Sequence, residues 1–309
     1  MRTYSDASRR APQEVMMSQT PQLEFDHIML RVSDLEAARA GWQRLGFTVS
    51  PYRTNEAMGG GATGGRGGNH LVLFTPPTSG TANFLELAYA DPAHAHPIMK
   101  SLLEGPPGYA MMVHITPDLE GVLRRWESAG VPYPSAIYEL GSEYRDPETG
   151  SVERIHFRVS LPSSTGTSIN INAYTPRDLA HFLRSDWRNH ANGAKCWRKL
   201  TVVVGEDEFA KIATLFPKVY APATTTSEGA VTANPAEITW RVVTPSAAKG
   251  IYPVPFTTAI EIEVDDFQRV SELLQANGIS SVAGDGCLCA AVPSMGDSIV
   301  AFVASVSAA

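Results

Sequence analysis

Apolar positions along the chain fall into short alternating runs separated by single stretches of helical spacing. In "SDLEAARAGWQRLGF" (33–47), Leu35, Ala38, Trp42 and Leu45 recur every three or four residues and share one helical face. Ser33 with Glu36 reads as a capping box, and Gly46 stands where such a helix stops. The same pattern returns as "PDLEGVLRRWESAGV" (117–131), with Asp34, Leu35, Glu36, Trp42 and Gly46 matched by Asp118, Leu119, Glu120, Trp126 and Gly130, each pair 84 residues apart. Before each helix lies an alternating strand, "HIMLRV" (27–32) and "MMVHIT" (111–116). After each come further short strands: "HLVLF" (70–74) and "NFLELAY" (83–89), then "RIHFRVSL" (154–161) and "SININAY" (168–174). The repeating unit is β-α-β-β-β, and a repeat of this kind outranks any single motif as evidence of architecture.

Two looser copies follow, "KLTVVVGEDEFAKIATLF" (199–216) and "AIEIEVDDFQRVSELLQANGI" (259–279), the last closed by Asn277-Gly278, with late strands in "ITWRVVTP" and "IVAFVAS". The expected fold is therefore α+β, four βαβββ modules paired into two incomplete barrels. Residues 1–22 read as a disordered polar tail, 23–183 as modules one and two, 184–195 as a linker, and 196–309 as a degenerate second half.

Composition narrows the function. With 43% hydrophobic residues the 309-residue chain has material for real cores, and a net charge of -7 without any Lys/Arg-rich run speaks against nucleic-acid binding. No apolar run reaches the roughly 18 residues of a membrane span. Three cysteines without metal-type spacing, and a start lacking a signal-peptide core, fit a reducing cytoplasm. Glycines crowd residues 59–68, but a strand follows them where a dinucleotide fingerprint needs a helix, and no G-K-[ST] completes a phosphate loop. That leaves a loop at the cleft rim, either a lid carrying Arg66 toward a substrate or a flexible connection.

"DHIMLRVSDLEAA", "GTANFLELAYADP", "IHFRVSLP" and, more loosely, "WRNHANGA" resemble the vicinal oxygen chelate superfamily, in particular its glyoxalase-like domain proteins. The resemblance implies two modules around one divalent metal, iron(II) first, with manganese, nickel or zinc as alternatives. It places His27 and Glu86 at ligand positions, with Glu86 also the catalytic carboxylate. The second module departs from the pattern, having Met111 where the family has a ligand and Asn172 opposite Glu86; Asn172 becomes a candidate substrate contact. His114 and His70 are the alternatives for a third ligand, although in the repeat register His114 matches Leu30, beneath the helix, while His27, Met29 and Arg31 face the cleft. Arg31 either anchors a substrate carboxylate or forms a salt bridge.

The remaining polar residues read as structural. His94 and His96 belong to a solvated loop, His156 to an exposed strand face, Glu261 and Glu263 to paired or solvated positions, and Cys287-Leu288-Cys289 to a strand fragment. Two functions follow from the resemblance: a metal-dependent lyase, isomerase or ring-cleaving dioxygenase acting on a small oxygenated molecule, or a metal-free small-molecule-binding protein of the same fold. Modules three and four would in either case be free to support a homodimer.

Overall fold

The computed structural model describes residues 23–61, 64–75, 83–131, 137–146, 148–160, 170–175, 184–220, 222–234 and 238–305. The expected tail, 1–22, lies outside them. The first half runs β1 (Glu24–Arg31), α1 (Leu35–Arg44), β2 (Arg53–Asn55), β3 (Gly68–Leu73), β4 (Phe84–Tyr89), α2 (Pro97–Leu103), β5 (Gly108–Ile115), α3 (Leu119–Ser128), β6 (Ile137–Arg145), β7 (Val152–Ser160) and β8 (Asn170–Thr175). Its eight strands pair in the order β1-β4-β3-β2-β6-β7-β8-β5 and close into a barrel. β1 pairs with β5 antiparallel, and each is flanked by the last strand of its own module, β4 or β8, running parallel. The two modules thus meet across β1 and β5, as the 84-residue repeat requires.

The second half runs β9 (Ala194–Val203), α4 (Glu206–Tyr220), β10 (Thr224–Ser227), β11 (Ala230–Ala233), β12 (Thr239–Val243), α5 (Pro245–Ala248), β13 (Thr258–Val264), α6 (Phe267–Ala276), β14 (Ser281–Gly284), β15 (Cys287–Ala291) and β16 (Ser298–Ala304). Its strands form one open sheet, β10-β11-β12-β9-β13-β16-β15-β14, with β9 and β13 in the places of β1 and β5. The expected pairing of four modules is the observed one. β9 starts at Ala194, within the 184–195 segment, and Asn192 of that segment is fixed by its amide donating to the Leu45 carbonyl.

Helix starts differ from the reading in one detail. Asp34, not Ser33, caps α1, accepting from the Ala37 N–H at 2.8 Å, and Asp118 caps α3 by accepting from Gly121 N–H at 2.8 Å. Gly46, Gly130 and Gly278 follow their helices at φ of +90°, +66° and +66°, a backbone region that glycine enters without strain.

One continuous core joins the halves. Ile28, Leu30, Leu85, Leu87 and Met112, on the outer face of the barrel, pack with Trp42 and Trp126 of α1 and α3 and with Phe216, Trp240 and Phe302 of the second half. Phe47 stacks on Phe302 with ring centroids 6.0 Å apart, and Phe25 meets Trp240 edge-on at 6.3 Å. Among the described residues no helix is long and apolar enough to cross a membrane.

The glycine run has a packing explanation. A β-carbon at Gly60, Gly65 or Gly67 would overlap the carbonyl oxygens of Gly67, Gly59 or Met58, so the chain here lies backbone against backbone. Gly60 and Arg66 form a bridge, and the Arg66 N–H donates to Asp91 Oδ2 at 3.0 Å.

Candidate functional site

Side chains of a strand alternate between faces, so the barrel interior collects a fixed half of each strand. β1 contributes His27 and Met29, β4 Phe84 and Glu86, β3 Asn69 and Leu71, β2 Arg53, and β6 Tyr144; register places Met29 beside Glu86, Leu71 opposite Glu86, and Arg53 between Asn69 and Tyr144. One level of this interior is apolar, a methionine-rich cluster of Met29, Met58, Met99 and Met111. The next is polar, and its centre is the His27–Glu86 pair.

His27 Nε2 lies 3.2 Å from Glu86 Oε2, and its Nδ1 lies 2.6 Å from Asp26 Oδ2. Asn69 Nδ2 donates to the other oxygen of Glu86, Oε1, at 2.5 Å. The imidazole stacks on Phe84, with centroids 4.1 Å apart and planes 15° from parallel. All of these side chains are buried, His27 at 8% exposure and Glu86 at 6%.

Consecutive residues such as Asp26 and His27 should point to opposite faces. They meet because β1 is bulged: Phe25 pairs with His114 and His27 with Val113, leaving Asp26 as the extra residue. Nothing in the hydrophobic pattern marks that bulge, and Asp26 was not legible as a site residue. Arg53 and Asn69 were equally hidden, one on a three-residue strand and the other overshadowed by its neighbour His70.

Electrostatics follow from burial and these partners. Burial works to lower the His27 pKa, but the hydrogen bonds and charges of Asp26 and Glu86 outweigh it and hold the group up at about 9. The imidazole is therefore an imidazolium at neutral pH, with an N–H toward each carboxylate. Burial lowers the Arg53 guanidinium to about 10, against the pull of Glu86, Tyr144 and Glu153, so it too stays charged. Two acceptor atoms here, Asn69 Oδ1 and Glu153 Oε2, are buried with no hydrogen-bond donor among the described residues.

The other expected site residues lie elsewhere. His114 is on the outer face, where alternation turns it beneath α4, its Nε2 2.9 Å from the Tyr220 hydroxyl and its ring 5.1 Å from Phe25. His70 also faces outward, with Nδ1 2.8 Å from the Ser50 carbonyl, because its neighbour Asn69 takes the inward position; burial lowers its pKa and favours the neutral ring. Arg31 is held by backbone: its guanidinium donates to the carbonyls of Leu102, Glu104, Pro106 and Tyr109, tying the segment between α2 and β5 to β1. Arg66 is exposed on the glycine loop, and its backbone N–H is held by Asp91. Asn172 lies on β8 across from Val113, and its side chain falls outside the described residues.

His94 and His96 are exposed; the first pairs with Asp91 and the second caps α2. Glu261 and Glu263 are paired, with Lys199 at 2.8 Å and Arg198 at 2.6 Å.

A divalent metal finds half a site. His27 Nε2 and Glu86 Oε2 are two donors, with Asp26 behind the ring as a carboxylate often stands behind a metal-bound imidazole. Met111 is buried in the interior where the second module would need a ligand, His70 and His114 point away, and among the described residues no group of three His, Cys, Asp or Glu side chains is placed to hold a metal ion. The described donors do not fit a resident divalent ion.

A family model described as a glyoxalase-like domain matches residues 25–216. It therefore runs beyond the first barrel into β9 and α4. Three solved structures are similar in fold. A hypothetical protein from Staphylococcus aureus is 12% identical with a TM-score of 0.58, the alignment covering 92% of this chain and 100% of that one. A xylose isomerase-like TIM barrel/4-hydroxyphenylpyruvate dioxygenase fusion protein is 10% identical with a TM-score of 0.53, over 97% of this chain and 52% of its own. A mutant of 4-hydroxymandelate synthase from Streptomyces coelicolor is 11% identical with a TM-score of 0.52, over 92% and 93%. No curated protein sequence matches the chain.

Proposed function

Because the chain belongs to the glyoxalase-like domain family, we propose that the interior of its first barrel binds a small hydroxylated carbonyl compound and moves a proton on it, as an isomerase or lyase does. The observation that carries this reading is the buried His27–Glu86 pair at 3.2 Å, held by Asp26 on one side and Asn69 on the other.

In this proposal Glu86 is the base. Asn69 holds Oε1, which orients the carboxylate and leaves Oε2 beside His27 to take a proton from the carbon next to the substrate carbonyl. His27 turns an N–H from Glu86 to the carbonyl oxygen as negative charge develops there, and Arg53 adds a second buried positive charge; both effects strengthen where water is excluded. His27 gives a proton to the former carbonyl oxygen and recovers one from the neighbouring hydroxyl, and Glu86 returns its proton to the former carbonyl carbon, which completes an isomerisation with both groups restored. Substrate hydroxyls would satisfy the acceptors Asn69 Oδ1 and Glu153 Oε2, while Phe84, Leu71 and Tyr144 supply apolar walls.

The test is proton NMR in D2O with hydroxyacetone, glyceraldehyde and catechol as probes, on protein treated with a chelator and on protein analysed for metals. The reading expects wild type to speed exchange of the carbon-bound proton of hydroxyacetone or glyceraldehyde, and Glu86→Gln to lose about 10² to 10⁴ of that rate, the usual worth of a general base. Exchange that vanishes on chelation, or a wild type that neither exchanges nor binds any of the three probes, overturns it.

A further inference from the structure

The second half holds a feature the first does not. Cys287 and Cys289 stand two apart on β15, on the same face, with their sulfurs 3.7 Å apart and both free. That face also carries Ala259, Ile299 and Ala301, and Ile251, Tyr252, Val254 and Phe256 from the segment before β13 pack against it. Cys289 is buried and Cys287 half-buried, so the pair opens to solvent through Cys287. The wall is close: a β-carbon at Gly284 would come within 3.0 Å of the Cys287 sulfur and 2.9 Å of Pro253 Cδ.

We propose that Cys287 and Cys289 form a two-thiol site for thiophilic metal and metalloid ions, of which trivalent arsenic is the type.

Strand geometry distinguishes this role from a disulfide. Residues two apart on an extended strand have α-carbons roughly 6.6 to 6.8 Å apart, at the upper limit of what a disulfide spans, about 4.4 to 6.8 Å. Closing the sulfurs to bonding distance would bend β15 out of its pairing with both β14 and β16. An ion bound to each sulfur at about 2.3 Å instead holds them about 3.3 to 3.8 Å apart as the angle between its bonds opens from about 90° to tetrahedral, a range that includes the 3.7 Å present. The surroundings select softness. The walls are largely apolar, and the nearby carboxylate Glu261 already accepts at Oε1 from Lys199 at 2.8 Å and from the Tyr252 hydroxyl at 2.6 Å. Two sulfurs without hard oxygen donors suit a thiophilic centre that takes two sulfurs and carries its own third group, as phenylarsenic does.

Reaction begins at the more accessible Cys287, since burial and the neighbouring Cys287 push the Cys289 thiol up to about 12. With phenylarsine oxide the step balances without any redox change: two As–S bonds form, the As–O bond breaks, and the oxygen leaves as water with the two thiol protons.

The experiment titrates the full, reduced chain with phenylarsine oxide and follows intact mass, affinity and Tm for wild type, Cys287→Ser, Cys289→Ser and Cys196→Ser. The expected result is one phenylarsenic group per chain, displacing two hydrogens, with a raised Tm because the folded site is preformed. Either serine in the pair should weaken binding at least about 100-fold, since the second bond gains from being intramolecular, while Cys196→Ser binds as wild type. Cys287→Ser, at the half-buried position, guards against misfolding of the buried variant. Binding that survives Cys287→Ser, binding lost in Cys196→Ser, or binding without a rise in Tm overturns the proposal.

Discussion

Replacing Glu86 probes the interior pair most directly, and two substitutions separate its charge from its hydrogen bonds. Glu86→Gln keeps an acceptor and a similar volume but removes the charge facing His27. A hydrogen bond to a charged group is worth about 1.5 to 3 kcal/mol against about 0.5 to 1.5 for a neutral one, so the difference is roughly 1 to 2 kcal/mol. Linkage gives the same size by a second route. Glu86 is one of two carboxylates raising His27 to about 9; if losing it lowers that pKa by about one unit, stability at neutral pH falls by about 1.4 kcal/mol. Glu86→Ala goes further, stranding an N–H of His27 and one of Asn69 in a buried site, at about 3 to 5 kcal/mol. Urea unfolding reads the stabilities, and ¹³C NMR of the His27 ring reads its titration. A Glu86→Gln variant within 0.5 kcal/mol of wild type, or a His27 titration that does not move, would refute the reasoning.

Stability should peak near pH 6.5 as far as two histidines set it. His27, raised to about 9, contributes stability that is complete below its unfolded pKa of 6.5 and is lost as pH rises through 9; His190, lowered to about 4 by burial despite the carbonyl of Leu73, stays neutral when folded, so stability is lost as pH falls from 6.5 toward 4. Each limb amounts to about 3 kcal/mol at 1.36 kcal/mol per unit, and urea unfolding across pH should flatten on the alkaline limb in His27→Gln and on the acid limb in His190→Gln. His114→Leu should cost about 1 to 3 kcal/mol by leaving the buried Tyr220 hydroxyl without this partner, while exchange of the probe's carbon-bound proton in D2O stays at the wild-type rate. Gly67→Ala should lower Tm through its clash with the Met58 carbonyl, whereas Gly64→Ala meets open space and pays only for its positive φ, a smaller loss in the same melt.

Repeat and periodicity carried most of the architecture because the β1 and β5 modules share one register, and a helix face or an alternating strand leaves its mark residue by residue. What escaped was short or irregular. β2 is three residues long, β6 alternates weakly through Gly141 and Ser142, and α2 is a seven-residue helix begun at Pro97. In the site, alternation alone placed His27 inside and His114 outside. It did not choose between Asn69 and His70, where the more familiar ligand type drew attention to the residue on the wrong face. Asp26 required a bulge, which depends on the partner strand and so cannot be read from one segment.

That bulge recurs, and its recurrence explains why the two halves differ. In β9, Trp197 pairs with Ile262 and Lys199 with Glu261, leaving Arg198 as the extra residue, so Arg198 and Lys199 stand where Asp26 and His27 stand in β1. Glu86 lies beside Met29; the matching position beside Thr201 is Arg241. The backbone device is kept while the chemistry is replaced, an imidazole and two carboxylates giving way to three cations. Lys199 turns instead to Glu261, which also accepts from Tyr252, and Arg198 to Glu263, which also accepts from Ser305. Each carboxylate there is held by a cation and a hydroxyl. The same fold geometry therefore holds a buried histidine–carboxylate pair in the barrel and closed ion pairs in the open sheet, with three exchanges, Asp26 to Arg198, His27 to Lys199 and Glu86 to Arg241, made on a bulge that both halves keep.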